Sequence, residues 1–242
     1  MYKLNLFIKR CFDFVSCLIA VILLTPVWII VAIAIKLDSK GPVFFKQGRR
    51  TKDGRVFQML KFRSMVVDAE KQGTGLFSYD NDPRVTKVGA FLRKTSIDEF
   101  PQFFNVLKGD ISVVGPRPCV TYELGDFDTL NKKYKKRFQV KGGITGLAQC
   151  KGRNENSWDE KVTLDNEYVD LFKNEGVWID IKILWWSVLK VFQSANINED
   201  QREGMSAEES AAMDDEEVKR IAHLPDEEYN EKQINELRYG KN

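Results

Sequence analysis

FVSCLIAVILLTPVWIIVAIAI, residues 14–35, runs for 22 positions without a charge. A helix needs about 20 apolar residues to span the hydrocarbon core of a bilayer, so this stretch is a membrane element. It is too long for the apolar core of a cleaved leader, and no small-residue cleavage site follows it. Lys3, Lys9 and Arg10 precede the run; Lys36, Lys40, Lys46, Arg49 and Arg50 follow it. With basic residues on both flanks, the positive-inside tendency selects neither end for translocation. Thr25-Pro26 lies near the middle, where proline removes a backbone donor and predicts a kink. The Thr25 hydroxyl is expected to take up a carbonyl freed by that kink. Asp13 is expected to stay among headgroups. Two readings remain: a re-entrant hairpin bent at Thr25-Pro26 that returns to its side of entry, or a kinked single span.

Outward from this segment, the net charge of +2 conceals an asymmetry. From Asn196 onward there are 14 Asp and Glu against 6 Lys and Arg, a net of −8, which leaves +10 on residues 1–195. A basic body suggests a phosphate-rich partner: anionic lipid, nucleotide or nucleic acid. The expected division is a membrane element over residues 1–40, a catalytic domain over 41–195 and an acidic tail over 196–242 that has too few large apolar residues to build a core. A marginal helix is predicted within that tail, at 207–221.

Cys11, Cys17, Cys119 and Cys150 have no metal-ligand spacing and read as reduced thiols. The single histidine, His223, falls in the tail. The body therefore offers neither a histidine zinc site nor a Ser-His-Asp or Cys-His relay. Its chemistry must come from carboxylates, amines and guanidinium groups.

In the body, VFFKQGRR (43–50) and RVFQMLKF (55–62) flank Asp53-Gly54, a hairpin pattern. GTGLFSYDNDPR (73–84) reads as a long loop. Helical periodicity marks 87–94 and 99–107. KGDISVVGPRP (108–118) and KGGITGLAQCKGRN (141–154) read as irregular Gly/Pro-rich backbone. A charged helix is predicted over 124–138, its Lys132, Lys133, Lys135, Lys136 and Arg137 lying either at a solvated C-terminal turn or against anionic headgroups. Helices are predicted over 158–174 and 177–193. In the last, Trp178, Ile181, Trp185, Trp186, Val188, Leu189 and Phe192 suit a headgroup interface, with core packing the alternative for several. The residues themselves give an α+β, mainly helical fold class, with an N-terminal membrane element, a small β-hairpin and interfacial amphipathic helices.

Ser96-Ile97-Asp98-Glu99 holds two adjacent carboxylates. Ser-x-x-Glu is also a capping box, in which Glu99 would merely reach back to the Ser96 amide. Against that plain reading stand Arg93 nearby, Lys61 and Arg63 at the end of the predicted hairpin, Arg117 between Pro116 and Pro118, and Arg153 in Gly-Arg-Asn. Arginines in rigid Gly/Pro loops suit phosphate clamps.

These stretches resemble the bacterial sugar transferases, the monotopic phosphoglycosyl transferases that place the first sugar phosphate on a polyprenyl carrier. The resemblance rests on Lys9-Arg10 with Asp13, Lys61-Phe62-Arg63-Ser64-Met65, Ser96 through Gln102, Asn105 through Asp110, Gly115-Pro116-Arg117-Pro118, Gly143-Ile144-Thr145-Gly146 and Gly152-Arg153-Asn154. It spans residues 3–195. It implies a re-entrant helix on the cytoplasmic face of a bacterial inner membrane, with Thr25-Pro26 in place of the family's Ser-Pro bend. Gly142 stands where the family has proline.

The resemblance further implies Asp98 as nucleophile on a UDP-sugar and Glu99 as ligand of Mg²⁺. Arg93, Arg117 and Arg153 would neutralise phosphate, with Lys61 and Arg63 as further candidates for that work. UDP-sugar, polyprenyl phosphate and membrane lipid are then the partners. A membrane-tethered scaffold that binds anionic lipid is the non-enzymatic alternative. A nucleic-acid partner is disfavoured, because the arginines are scattered rather than striped. Sugar identity and oligomeric state, a homodimer included, are left open by the sequence.

Overall fold

The computed structural model describes residues 1–69, 82–121, 123–151 and 157–193. Arg153, most of the predicted 73–84 loop and the acidic tail lie outside the described residues. Helix α1, Tyr2–Asp38, is 37 residues long with Pro26 inside it. By length and composition it can cross a membrane. Its buried residues form two groups on either side of Pro26: Asp13 and Cys17, then Trp28, Val31 and Ile35. Between them Ile22 and Leu23 are exposed. The Thr25 hydroxyl donates to the Val21 carbonyl at 2.7 Å. That is the ordinary i−4 back-bond, one position before the Ile22 carbonyl to which Pro26 cannot donate, so the expected rescue falls one residue short.

Strand β1 (Phe44–Arg50) and strand β2 (Val56–Phe62) form the predicted antiparallel hairpin, with Phe44 opposite Phe62 and Arg50 opposite Val56. Asp53 and Gly54 take positive φ at the turn, which Asp tolerates and Gly favours. Helix α2 (Lys87–Lys94) begins at Thr86, whose hydroxyl accepts from the Gly89 amide at 3.0 Å. A helix over 99–107 does not form as one piece. Ile97–Glu99 make a 3₁₀ turn, and helix α3 (Gln102–Lys108) starts only after Pro101, in keeping with proline's place at helix starts.

Both stretches read as irregular contribute a strand. Strand β3 (Ser112–Val114) pairs in parallel with strand β4 (Gly143–Thr145). The Gly115 amide donates to the Thr145 carbonyl and the Gly143 amide to the Pro116 carbonyl. The backbones approach so closely that a Cβ on Gly143 would stand 2.1 Å from the Gly115 nitrogen, so glycine is required there. The charged helix is far shorter than predicted. Helix α4 covers Lys132–Lys136 and is capped by Asn131, with a 3₁₀ turn at Arg137–Gln139. Helix α5 (Leu147–Lys151), helix α6 (Trp158–Glu175) and helix α7 (Val177–Gln193) complete the described body.

One core joins α6, α7 and the β3–β4 pair through Val114, Val169, Phe172, Ile179 and Ile183. Two more clusters bind α1 to the hairpin, α2 and α3, with Cys17 against Val106 and Ile111, and Trp28 against Phe62 and Leu92. On α7, Trp178, Ile181, Trp185, Trp186, Val188 and Leu189 all face outward. Core packing therefore fails as their explanation; among the described residues of this helix Ile179, Asp180 and Ile183 are buried, with Leu184 packed beside them.

Charged groups fasten α1 to the body at both ends. Near the start, Lys9 Nζ donates to Asp180 Oδ2 at 2.6 Å and to the Val114 carbonyl, while Arg10 donates to the Val106 and Leu107 carbonyls at the end of α3. Asp13 is buried against the body. It accepts from the Ser112 hydroxyl at 2.7 Å and the Val113 amide at 3.1 Å. At the far end Asp38 accepts from the Val88 amide at 2.9 Å.

Candidate active site

The site forms where α2 gives way to α3. Ser96 lies in the left-handed region at φ 56°, a conformation that costs a non-glycine residue about 1–2 kcal/mol and is usually found where surroundings impose it. Its side chain makes no capping bond, so the capping box does not form. The Glu99 carboxylate points instead to two cations from distant segments. Lys61 Nζ, near the end of β2, donates to Oε1 at 3.0 Å. Arg117 donates through Nη2 to Oε1 at 2.5 Å and through Nη1 to Oε2 at 3.3 Å. Burial pushes the Glu99 carboxyl up, but Arg117 and Lys61 outweigh it and hold it well below the usual carboxylate range. Its neighbour Asp98 is buried, at 8% exposure. Arg93, half-buried, sits in the last turn of α2 shortly before the dyad.

Arg117 is fixed more firmly than its flanking prolines alone would achieve. Its own carbonyl accepts from Arg137 Nη2 at 2.6 Å. The next carbonyl, of Pro118, accepts from Arg49 Nη1, also at 2.6 Å. Arg49 is further held by Gln47, with Nε to Oε1 at 2.8 Å. Burial, and after it the nearby Arg117 charge, draws the Arg49 pKa down, with Glu99 among the carboxylates opposing the shift. Arg137 is itself buried in an ion pair with Asp165 at 2.8 Å.

Sequence reasoning missed both Arg49 and Arg137. A signal existed for the first, since Gln47 and Arg49 alternate onto one face of β1. Arg137 was hidden in a run of lysines.

The sequence candidates thus separate. Asp98, Glu99, Lys61 and Arg117 come together, with Arg93 on the adjoining helix end. Arg63 is engaged elsewhere: buried at 4% exposure, it donates to the carbonyls of Ser39 and Lys40 at 2.8 and 2.6 Å and caps the C-terminus of α1. Reaching a phosphate would require breaking those bonds. Among the described residues no three His, Cys, Asp or Glu side chains gather to hold a metal. The dyad offers two adjacent carboxylates, a donor set that suits Mg²⁺ only when substrate phosphate and water supply its other ligands.

Residues 4–194 match the profile of the family described as Bacterial sugar transferase, and the chain belongs to that family. It is 44% identical over 191 residues to a UDP-glucose:undecaprenyl-phosphate glucose-1-phosphate transferase of Klebsiella pneumoniae, covering 78% of this chain and 41% of that relative. The galactosyl transferase CpsE of Streptococcus agalactiae serotype III (strain NEM316) is also 44% identical over 191 residues, covering 74% and 41%. The uncharacterized sugar transferase EpsL of Bacillus subtilis (strain 168) is 42% identical over 193 residues, covering 79% and 91%. The chain therefore spans about two-fifths of the length of the first two relatives and nearly all of the third.

Proposed function

We propose that this chain transfers a sugar 1-phosphate from a UDP-sugar to a polyprenyl phosphate such as undecaprenyl phosphate, releasing UMP, as an early membrane step of glycan assembly. The observation that carries the reading is the buried Asp98 beside a Glu99 that Lys61 and Arg117 hold ionised. Two cations on one carboxylate leave positive charge to receive a diphosphate, which would otherwise repel an anionic nucleophile. A scaffold has no use for this arrangement.

The Asp98 carboxylate attacks the β-phosphorus; the bond from that phosphorus to the oxygen bridging the two phosphates breaks, and UMP departs with the electron pair. A phospho-sugar ester remains on Asp98. A phosphate oxygen of the lipid then attacks the same phosphorus, the Asp98 ester bond breaks, and the carboxylate is regenerated. Arg117 and Lys61 bind and orient the phosphates, and Arg93 and Arg153 are assigned the same work. Glu99 would hold Mg²⁺, which supplies neutralising charge on the diphosphate oxygens when bound.

The membrane reading is a monotopic one on the cytoplasmic face. Lys9 and Asp13 at one end of α1, and Asp38 at the other, bond to a single charged body. A straight crossing would set those ends on opposite sides of about 30 Å of hydrocarbon, and the body cannot lie on both sides. Bending at Thr25-Pro26 reconciles the two attachments.

The test supplies a panel of UDP-sugars with Mg²⁺, with and without undecaprenyl phosphate. One sugar should release UMP catalytically with the lipid, and without it release about one UMP per chain while labelling the protein. Asp98→Asn should do neither. Release of UMP by none of the sugars would overturn the reading.

A further inference from the structure

At the end of α3 away from the dyad lies a second gathering of cations. Along this helix the offset is about 10 Å, at 1.5 Å per residue. A Cβ on Gly109 would stand 3.4 Å from Arg10 Nη2 and 3.5 Å from Lys141 Nζ. Both charges therefore border the same small space beside the Gly109 backbone. Arg55 and Lys108 approach from the Asp110 side, at 3.3 and 3.8 Å from its carboxylate.

The two nearby carboxylates are already engaged. Asp110 receives Arg55 on Oδ1 and Asn105 on Oδ2, while Asp13 receives the Ser112 hydroxyl and the Val113 amide. Arg10 directs both terminal nitrogens at carbonyls of α3. Lys141 is left as a half-buried ammonium that makes no hydrogen bond or ion pair among the described residues. A desolvated charge in that position is unfavourable unless an anion joins it.

We propose that Lys141 and the exposed Arg55, with the Arg10 charge beside them, form a second phosphate-binding site, apart from the transfer centre, suited to the phosphate group of an anionic lipid headgroup. Its position agrees with that ligand. Arg10 lies four residues before the uncharged run of α1 begins at Phe14, so the site lies at the level where lipid phosphates gather if α1 is immersed. Burial, and then repulsion from Arg10 and Arg55, draws the Lys141 pKa down. A phosphate oxygen would relieve that repulsion. The inference does not depend on the transfer reaction, because it uses none of the residues assigned to it.

The experiment uses the full chain, purified in a non-ionic detergent, with phosphatidylglycerol as the lipid probe and inorganic phosphate as the soluble one. Lipid bound per chain is counted by native mass spectrometry, and phosphate is added as a competitor. Phosphatidylglycerol should bind the wild type and Lys141→Arg alike and bind Lys141→Gln about tenfold more weakly, the loss expected for one charge-assisted hydrogen bond. Competition by inorganic phosphate would assign the site to phosphate in general, and lack of competition to the lipid headgroup. Equal lipid affinity in wild type and Lys141→Gln would overturn the proposal. Should Lys141→Gln fail to fold, Arg55→Gln at the exposed rim replaces it. A several-fold loss is then expected, and unchanged affinity is again the overturning result.

Discussion

Arg117 grips Glu99 with both terminal nitrogens, bonding one carboxylate oxygen with each across 18 residues of sequence. Two parallel bonds fix the plane of the carboxylate as well as its charge. Lysine can supply the charge but not the fork. Arg117→Lys is therefore expected to lower UMP release by about tenfold or more, the worth of one charge-assisted bond, while circular dichroism stays unchanged. Full activity in that variant would show that the fork has no role.

Arg49→Ala should act at one remove. Without its guanidinium the Pro118 carbonyl and the Gln47 amide oxygen lose their donor, at a cost of about 1–3 kcal/mol. The loop presenting Arg117 loosens. Urea unfolding should report the stability loss, and a rise in KM for the UDP-sugar should accompany it. Arg49→Lys should restore part of the stability.

Glu99→Gln makes a pH-dependent prediction. The folded Glu99 pKa lies below its ordinary value of 4.5. A depressed carboxyl pKa contributes stability that is present above the unfolded value and disappears as pH falls through the folded one. Wild type should thus exceed Glu99→Gln in stability at pH 7, with a constant gap down to about pH 4.5 and a closing gap below it. A gap that widens on acidification would reverse the assigned sign.

Asp13→Ala should destabilise strongly, by about 2–4 kcal/mol, since it strands the Ser112 hydroxyl and the Val113 amide in a buried place. Asp13→Asn keeps an acceptor and should lose less. Denaturant midpoints compare the two.

For the membrane arrangement, Cys11 is exposed near one end of α1, and Lys40→Cys places a thiol just past the other. An impermeant maleimide added to sealed vesicles of known orientation should modify both from the same face. Modification from opposite faces would establish a crossing.

The hairpin around Asp53-Gly54 and helix α2 were legible because their causes are local: strand-prone runs about turn residues in one, and helical periodicity in the other. The β3–β4 pair was not. Its strands are three residues each and lie among glycines and prolines that read as loop, and nothing local to Ser112–Val114 announces a partner at Gly143–Thr145. Asp180 looked like a charge interrupting an apolar helix; in place, it is a buried acceptor for Lys9 and Tyr168.

By itself the sequence determined the apolar N-terminal helix with its proline, the adjacent carboxylates and a basic body without histidine, because each follows from residue type and short-range order. Tertiary structure alone decided which cations serve which groups. Lys61 and Arg63 are two residues apart and similar in charge, yet one meets Glu99 from 38 residues away and the other closes the end of α1. The physical reason is that an ion pair depends on a few ångströms of separation in space, and the folded path of the chain sets that separation.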